Sequence, residues 1–109
     1  MFKIIAEPTF THRVTILVPA DNGHREESLT VTFRVLSVED QAQFNLTRER
    51  ESDQFLRAIV VKMDDVADEE GKKIPYNDQL RDRILAIPYV RSAVAAAYFT
   101  AVNKAQLGN

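Results

Sequence analysis

A chain of 109 residues, 45% hydrophobic and 28% charged, is long enough for one core and too short for two. Halves of that length bury too little apolar surface to offset chain entropy. With 14 basic against 16 acidic residues the net charge is −2, which excludes a broad positive field for a phosphate backbone. The lack of cysteine excludes disulfides, a thiol nucleophile and a thiolate zinc site.

At the amino terminus, Met1-Phe2-Lys3-Ile4-Ile5-Ala6-Glu7-Pro8 carries too short an apolar run for a signal sequence. Nothing approaches the ~18 consecutive apolar residues of a membrane span. The expected location is the cytoplasm, unanchored.

Phe10, Val14, Ile16 and Val18 alternate with Thr11, Arg13, Thr15 and Leu17, the two-residue period of a strand with one buried face. Leu29, Val31, Phe33 and Val35 repeat the pattern against Thr30, Thr32 and Arg34. Between them Pro19-Ala20-Asp21-Asn22-Gly23 supplies turn chemistry, because Asn and Gly tolerate positive φ. An antiparallel hairpin over about 10–36 follows, and its apolar face needs a cover.

Helices over about 37–106 are expected to provide it. Ser37 is suited to N-cap the first, with Glu39 and Asp40 in its first turn and Val38, Ala42 and Leu46 on one face. The charged Arg48-Glu49-Arg50-Glu51 ends or links that segment. Ser52 then caps a second helix striped by Phe55, Leu56, Ile59, Val60 and Met63. After an acidic loop from Asp64 to Glu70, Asn77 caps a short third helix with Leu80, Ile84, Leu85 and Ile87 inward. Pro88 stops it and fits the first turn of the last helix, about 88–106, beyond which Leu107-Gly108-Asn109 should fray. The fold class is therefore α+β: one domain over 1–109, with an N-terminal antiparallel β-hairpin packed against three to four α-helices.

The last helix is apolar over an unusually wide arc. At ~100° per residue, Ala97, Ala101, Val94, Tyr98, Val102, Ala95 and Phe99 fall in that order across roughly 200°, and covering a small core takes about half as much. Either the hairpin and the other helices together bury the surplus, or a second subunit or client chain does.

Little in the chain suggests chemistry. Setting Gly71 as the obligatory glycine of an EF-hand loop places Val66 first and Asn77 last, where carboxylates are required. The acidic stretch reads instead as a solvated loop with a turn, or as a recognition surface for a basic partner. His12, in a strand, and His24, in the hairpin loop, have no partners at ligand or triad spacing. Gly23, Gly71 and Gly108 lie too far apart for a phosphate loop. Basic residues stand beside acids, as in Arg81-Asp82-Arg83, and form no nucleic-acid stripe. The expectation is no enzyme: no catalytic residue, cofactor or metal, and neither nucleic acid nor membrane as a partner.

One order of residues carries a resemblance. Pro8-Thr9-Phe10, Val14 to Pro19, Phe33, Leu36 and Val38-Glu39-Asp40 are followed by Asp53 and Phe55-Leu56. Then come Val66, Asp68-Glu69, Gly71, Ile74-Pro75-Tyr76, Leu80, the Leu85 to Pro88 segment, Val90-Arg91 and Ala97-Tyr98. Over about ninety residues this resembles the small tail assembly chaperones of long-tailed bacteriophages and prophages. Lys62-Met63 departs from that pattern, replacing a Gly-Trp pair with a flexible thioether that can still fill a core gap.

The resemblance implies a holdase that binds the aggregation-prone tape measure protein and gathers tail tube subunits around it. Possible further partners are the tail tube protein and a frameshifted longer form, and a homo-oligomer is expected. Physically this asks for amphipathic surface beyond one small core. The candidate partner-binding residues are Val90, Arg91, Val94, Tyr98, Phe99 and Val102 on the last helix. Two alternatives are a minor structural protein retained in the tail, and a bacterial adaptor domain that adds a peptide strand to the hairpin edge along Thr30, Thr32 and Arg34.

Overall fold

A computed structural model describes residues 1–104; the fraying expected of Leu107-Gly108-Asn109 lies outside them, while the last helix stops at Val102, short of the expected Gln106, where Asn103 leaves helical geometry as its C-cap. Two 12-residue strands, β1 (Thr9–Ala20) and β2 (Gly23–Arg34), pair antiparallel in one register from Thr9↔Arg34 to Ala20↔Gly23. The reversal takes only Asp21 and Asn22, with Asn22 at φ 60°, a left-handed conformation that Asn tolerates. The strands therefore outrun the alternating pattern: Pro19 and Ala20 finish β1, and His24, expected in the loop, sits in the ladder opposite Pro19.

Alternation divides the two faces as expected. Val14, Ile16, Val18, Leu29, Val31 and Phe33 are buried. The other face is polar, with Thr11 and Thr32 hydroxyls 2.9 Å apart and Arg13 Nε donating to Ser28 Oγ at 3.1 Å.

The second helical segment departs from its expected course at both ends. Helix α2 spans Glu49–Ile59, so Ser52 lies inside it, and the charged run thought to be a linker forms its first turn. Glu49 and Glu51 favour the positive end of the helix dipole there, and Glu51 Oε1 accepts the Asn45 backbone N–H at 2.9 Å. At the other end, Val60 and Met63 leave the helix for strand β3 (Val60–Asp64), which pairs antiparallel with β2 through Thr30↔Asp64, Val31↔Met63, Thr32↔Lys62 and Phe33↔Val60.

The cause is that Phe55, Leu56, Ile59, Val60 and Met63 fit a helical stripe, while Val60, Val61 and Met63 also fit a short strand. The second edge of β2 offers backbone partners that no helix supplies, and β-branched residues suit a strand. Arg34 Nη1 donates to the Ala58 carbonyl at 2.8 Å near the helix C-terminus, where a cation is favoured. The sheet order is β1-β2-β3, so Thr30 and Thr32 are covered by β3 and the hairpin edge expected to receive an adaptor's peptide is closed there.

The first helix is a single turn. Ser37 Oγ caps α1 (Val38–Gln41) by accepting the Asp40 N–H at 3.1 Å, as expected, but Val38 is 88% exposed and Ala42 and Leu46 are exposed too. Bonds from Gln43 and Phe44 N–H to the carbonyls three residues back tighten the chain. Phe44 then turns inward against Phe55, ring centroids 5.8 Å apart.

The last two helices follow their caps. Asn77 Oδ1 accepts the Leu80 N–H at 2.8 Å and starts α3 (Asp78–Leu85). Ile87 is the N-cap of α4 (Pro88–Val102), with Pro88 at its first position, where a missing N–H costs nothing. Helix α4 packs on β1 and α3, and α2 packs on α3 and the sheet. Buried side chains of α2, α3 and α4 join those of the sheet in one cluster, to which α1 contributes none.

Among the described residues no single helix is long and apolar enough to cross a membrane. Taken together α3 and α4 pass that test, but they are bent by 101° and their Leu80, Ile84, Leu85, Val90, Val94 and Tyr98 belong to the core.

Candidate functional site

The expected partner-binding face of α4 is turned inward. Val90 is buried, and Val94 and Tyr98 are 0% exposed. Tyr98 stands among four rings, those of Phe10, Phe33, Phe55 and Phe99, with centroids 5.4 to 6.2 Å away, and its hydroxyl accepts the Leu36 N–H at 3.1 Å. Phe99 stacks on Phe55 at 5.5 Å, and Val102 is half-buried against the same cluster. Arg91 pairs with Asp53 and also donates to Ser52 Oγ at 3.2 Å. The surplus arc is thus taken up by β1 on one side and α2 and α3 on the other. Pro88, Tyr89, Ser92, Ala96 and Thr100 remain as an exposed stripe.

An open apolar surface exists elsewhere. After β3 the chain turns at Asp65, φ 62°, whose Oδ2 accepts from Thr30 Oγ1 at 2.7 Å. A narrow excursion follows, closed by the Ala67↔Lys73 bridge and by Ile74 N–H donating to the Val66 carbonyl at 2.8 Å. Its tip is held by Asp68, whose Oδ1 accepts the N–H groups of Glu70 and Lys72, both at 2.9 Å. Gly71, at φ 84°, takes the left-handed conformation that costs other residues roughly 1–2 kcal/mol.

This excursion leans toward α3 and leaves a groove of about 870 Å³ between them, within the roughly 300–1,000 Å³ typical of binding clefts. Val66, Ile74, Leu80, Ile84 and Ile87 line its floor, Asp68, Glu69 and Glu70 its lip, and Arg83 stands on the other side. Sequence reasoning missed the floor. Its signal was present: Val66 and Ile74 are lone large aliphatics in a polar stretch, as expected of residues gripping something outside the main periodic elements.

Beside the groove, the Tyr76 hydroxyl is buried with no hydrogen-bond partner among the described residues. Burial pushes its pKa up, and the Arg81 guanidinium opposes the rise. Arg81 itself contacts Asp82 at 3.0 Å and Asp78 at 3.7 Å. Burial alone would lower its pKa, but the Asp82 hydrogen bond and charge raise it.

What the arrangement can do is bind. An apolar floor with an acidic lip suits the apolar stripe and basic flank of a helix or extended segment. Among the described residues no three His, Cys, Asp or Glu side chains converge to hold a metal ion, and the carboxylate of Asp68 is engaged by its own backbone. No family model, curated protein or solved structure matches this chain at a significant level.

Proposed function

We propose that this protein is a non-enzymatic tail assembly chaperone of a long-tailed bacteriophage or prophage. It would act in the host cytoplasm, hold segments of the tape measure protein and assist tail tube assembly around it. The observation that carries the reading is the groove between the acidic excursion and α3, apolar below and acidic above. A client's amphipathic helix can lay its stripe on Val66, Ile74 and Ile87 while Lys or Arg on its flank meets Asp68, Glu69 and Glu70. The ordered residues from Pro8 to Tyr98 that resemble the chaperone family support the same reading, and the groove replaces α4 as the contact surface. Tail tube protein and a frameshifted longer form are further partners of the proposal.

The test is co-expression with the tape measure protein of the same genome. Co-purification with the native chain, lost on Glu69→Lys/Glu70→Lys, is the expected result, because both carboxylates are exposed and their reversal leaves the core untouched. No co-purification, or equal co-purification by the variant, refutes the groove as the client site. Mass spectrometry of purified virions separates the alternatives: a chaperone is absent from the particle, a minor tail protein present.

A further inference from the structure

The surface holds a second unusual element, the arm that precedes β1. Met1, Phe2, Ile4 and Ile5 are 64 to 117% exposed and make up half of the exposed large apolar residues in the described chain. No helix or strand includes them. Lys3 sits in their midst. Such a segment gains free energy by entering an apolar site, and a cation between apolar anchors suits a site with a negative rim.

The groove has that character on its excursion side, with an aliphatic floor and three carboxylates at the lip against the single cation Arg83 on the other side. We propose that the groove accepts the arm of a second copy of this chain, Phe2 and Ile4 entering over Val66 and Ile87 while Lys3 meets Glu69 and Glu70. The arm leaves the Thr9–Arg34 end of the hairpin, whereas Val66 and Ile87 of the groove lie beside Ile16 and Val18, seven to nine residues further along β1, which at ~3.3 Å per residue is about 23–30 Å away. Ile4, five residues before Thr9, reaches at most about 18 Å from it, too short for a chain to seat its own arm over Val66 and Ile87. A neighbour meets no such obstacle. With both arms exchanged the contact is self-complementary, so a two-fold dimer closes on two equal contacts, and the second forms at high effective concentration.

The inference rests on the groove as a peptide-accepting surface and not on the identity of the client, which competes with the arm for the same residues. Sedimentation or light scattering over a concentration series should show the native chain dimerising. Phe2→Asp/Ile4→Asp alters only exposed side chains and should weaken the dimer by at least about tenfold, from loss of the buried apolar area. Glu69→Lys/Glu70→Lys should weaken it as well, and adding Lys3→Glu to that variant should restore association. An equimolar mixture of the arm variant and the lip variant keeps one of the two contacts, since one supplies a sound groove and the other an unaltered arm, and should associate more than either variant alone but less than the native chain.

A native chain that is monomeric at all concentrations overturns the proposal, as does a dimer indifferent to the arm substitutions or a mixture that associates no more than the separate variants. If the native chain stays monomeric yet still retains its client, the arm contact fails while the client reading stands. If the arm variants behave as expected and no client is retained, the reverse holds.

Discussion

Tyr98 separates a core reading of α4 from an interface reading. Its ring is fully buried among four others, and its hydroxyl accepts the Leu36 N–H at 3.1 Å. Tyr98→Phe keeps the ring and removes the acceptor. Leu36 is only half-buried, so water can reach its N–H, which places the cost at the lower end of the roughly 1–3 kcal/mol for an orphaned group. Tyr98→Ala removes the ring as well and leaves a cavity, at about 3–5 kcal/mol. In a domain of this size the total stability is about 5–15 kcal/mol and each kcal/mol moves Tm by roughly 4–8 °C. Tyr98→Phe should therefore lower Tm by about 4–8 °C, and Tyr98→Ala by about 12–40 °C. Thermal and urea unfolding followed by far-ultraviolet circular dichroism measures both. If Tyr98→Ala kept its Tm within about 2 °C while client binding disappeared, the side chain would be an interface anchor and the assignment of α4 to the core would be refuted.

Three other perturbations probe the elements that shape the groove. Asn77→Ala removes the acceptor that caps α3 at Leu80 and should cost about 1 kcal/mol, read by urea unfolding, with Asn77→Asp restoring most of it. Gly71→Ala meets no steric neighbour but places a side chain at φ 84°, so it should cost about 1–2 kcal/mol or reshape the loop; amide exchange at Glu70 and Lys72 would show the loosening, and an unchanged loop and stability would contradict the strain. Tyr76→Phe deletes a buried hydroxyl that has no partner among the described residues and should be neutral or stabilising by up to about 1 kcal/mol. Because the folded-state pKa of Tyr76 is raised, its contribution is fully present below pH 10, the unfolded value, and is lost as pH rises through the folded value. The native chain should lose more stability than Tyr76→Phe in that alkaline window.

The hairpin, three of the four helix starts and the stop at Pro88 were legible because each rests on local chemistry. The alternation of Val14, Ile16 and Val18, the caps Ser37 and Asn77, and Pro88 at the start of α4 act within a few residues of themselves. The second helix was misread at both ends because its stripe was ambiguous and its true start has no side-chain cap, Arg48 supplying none. The candidate site was legible only as an acidic turn. Nothing local says that Val66 and Ile74 will face Leu80, Ile84 and Ile87 across an open groove.

By itself the sequence determined a small α+β chain with a hairpin and a proline-separated helix pair. Two matters were left to tertiary structure. Val60 to Asp64 became a strand because β2 had an unpaired edge within reach, a long-range gain that outweighs local helical periodicity. The wide apolar arc of α4 became core because β1, α2 and α3 converge on it from several sides, and periodicity records how much of a helix is apolar without recording how many neighbours will cover it.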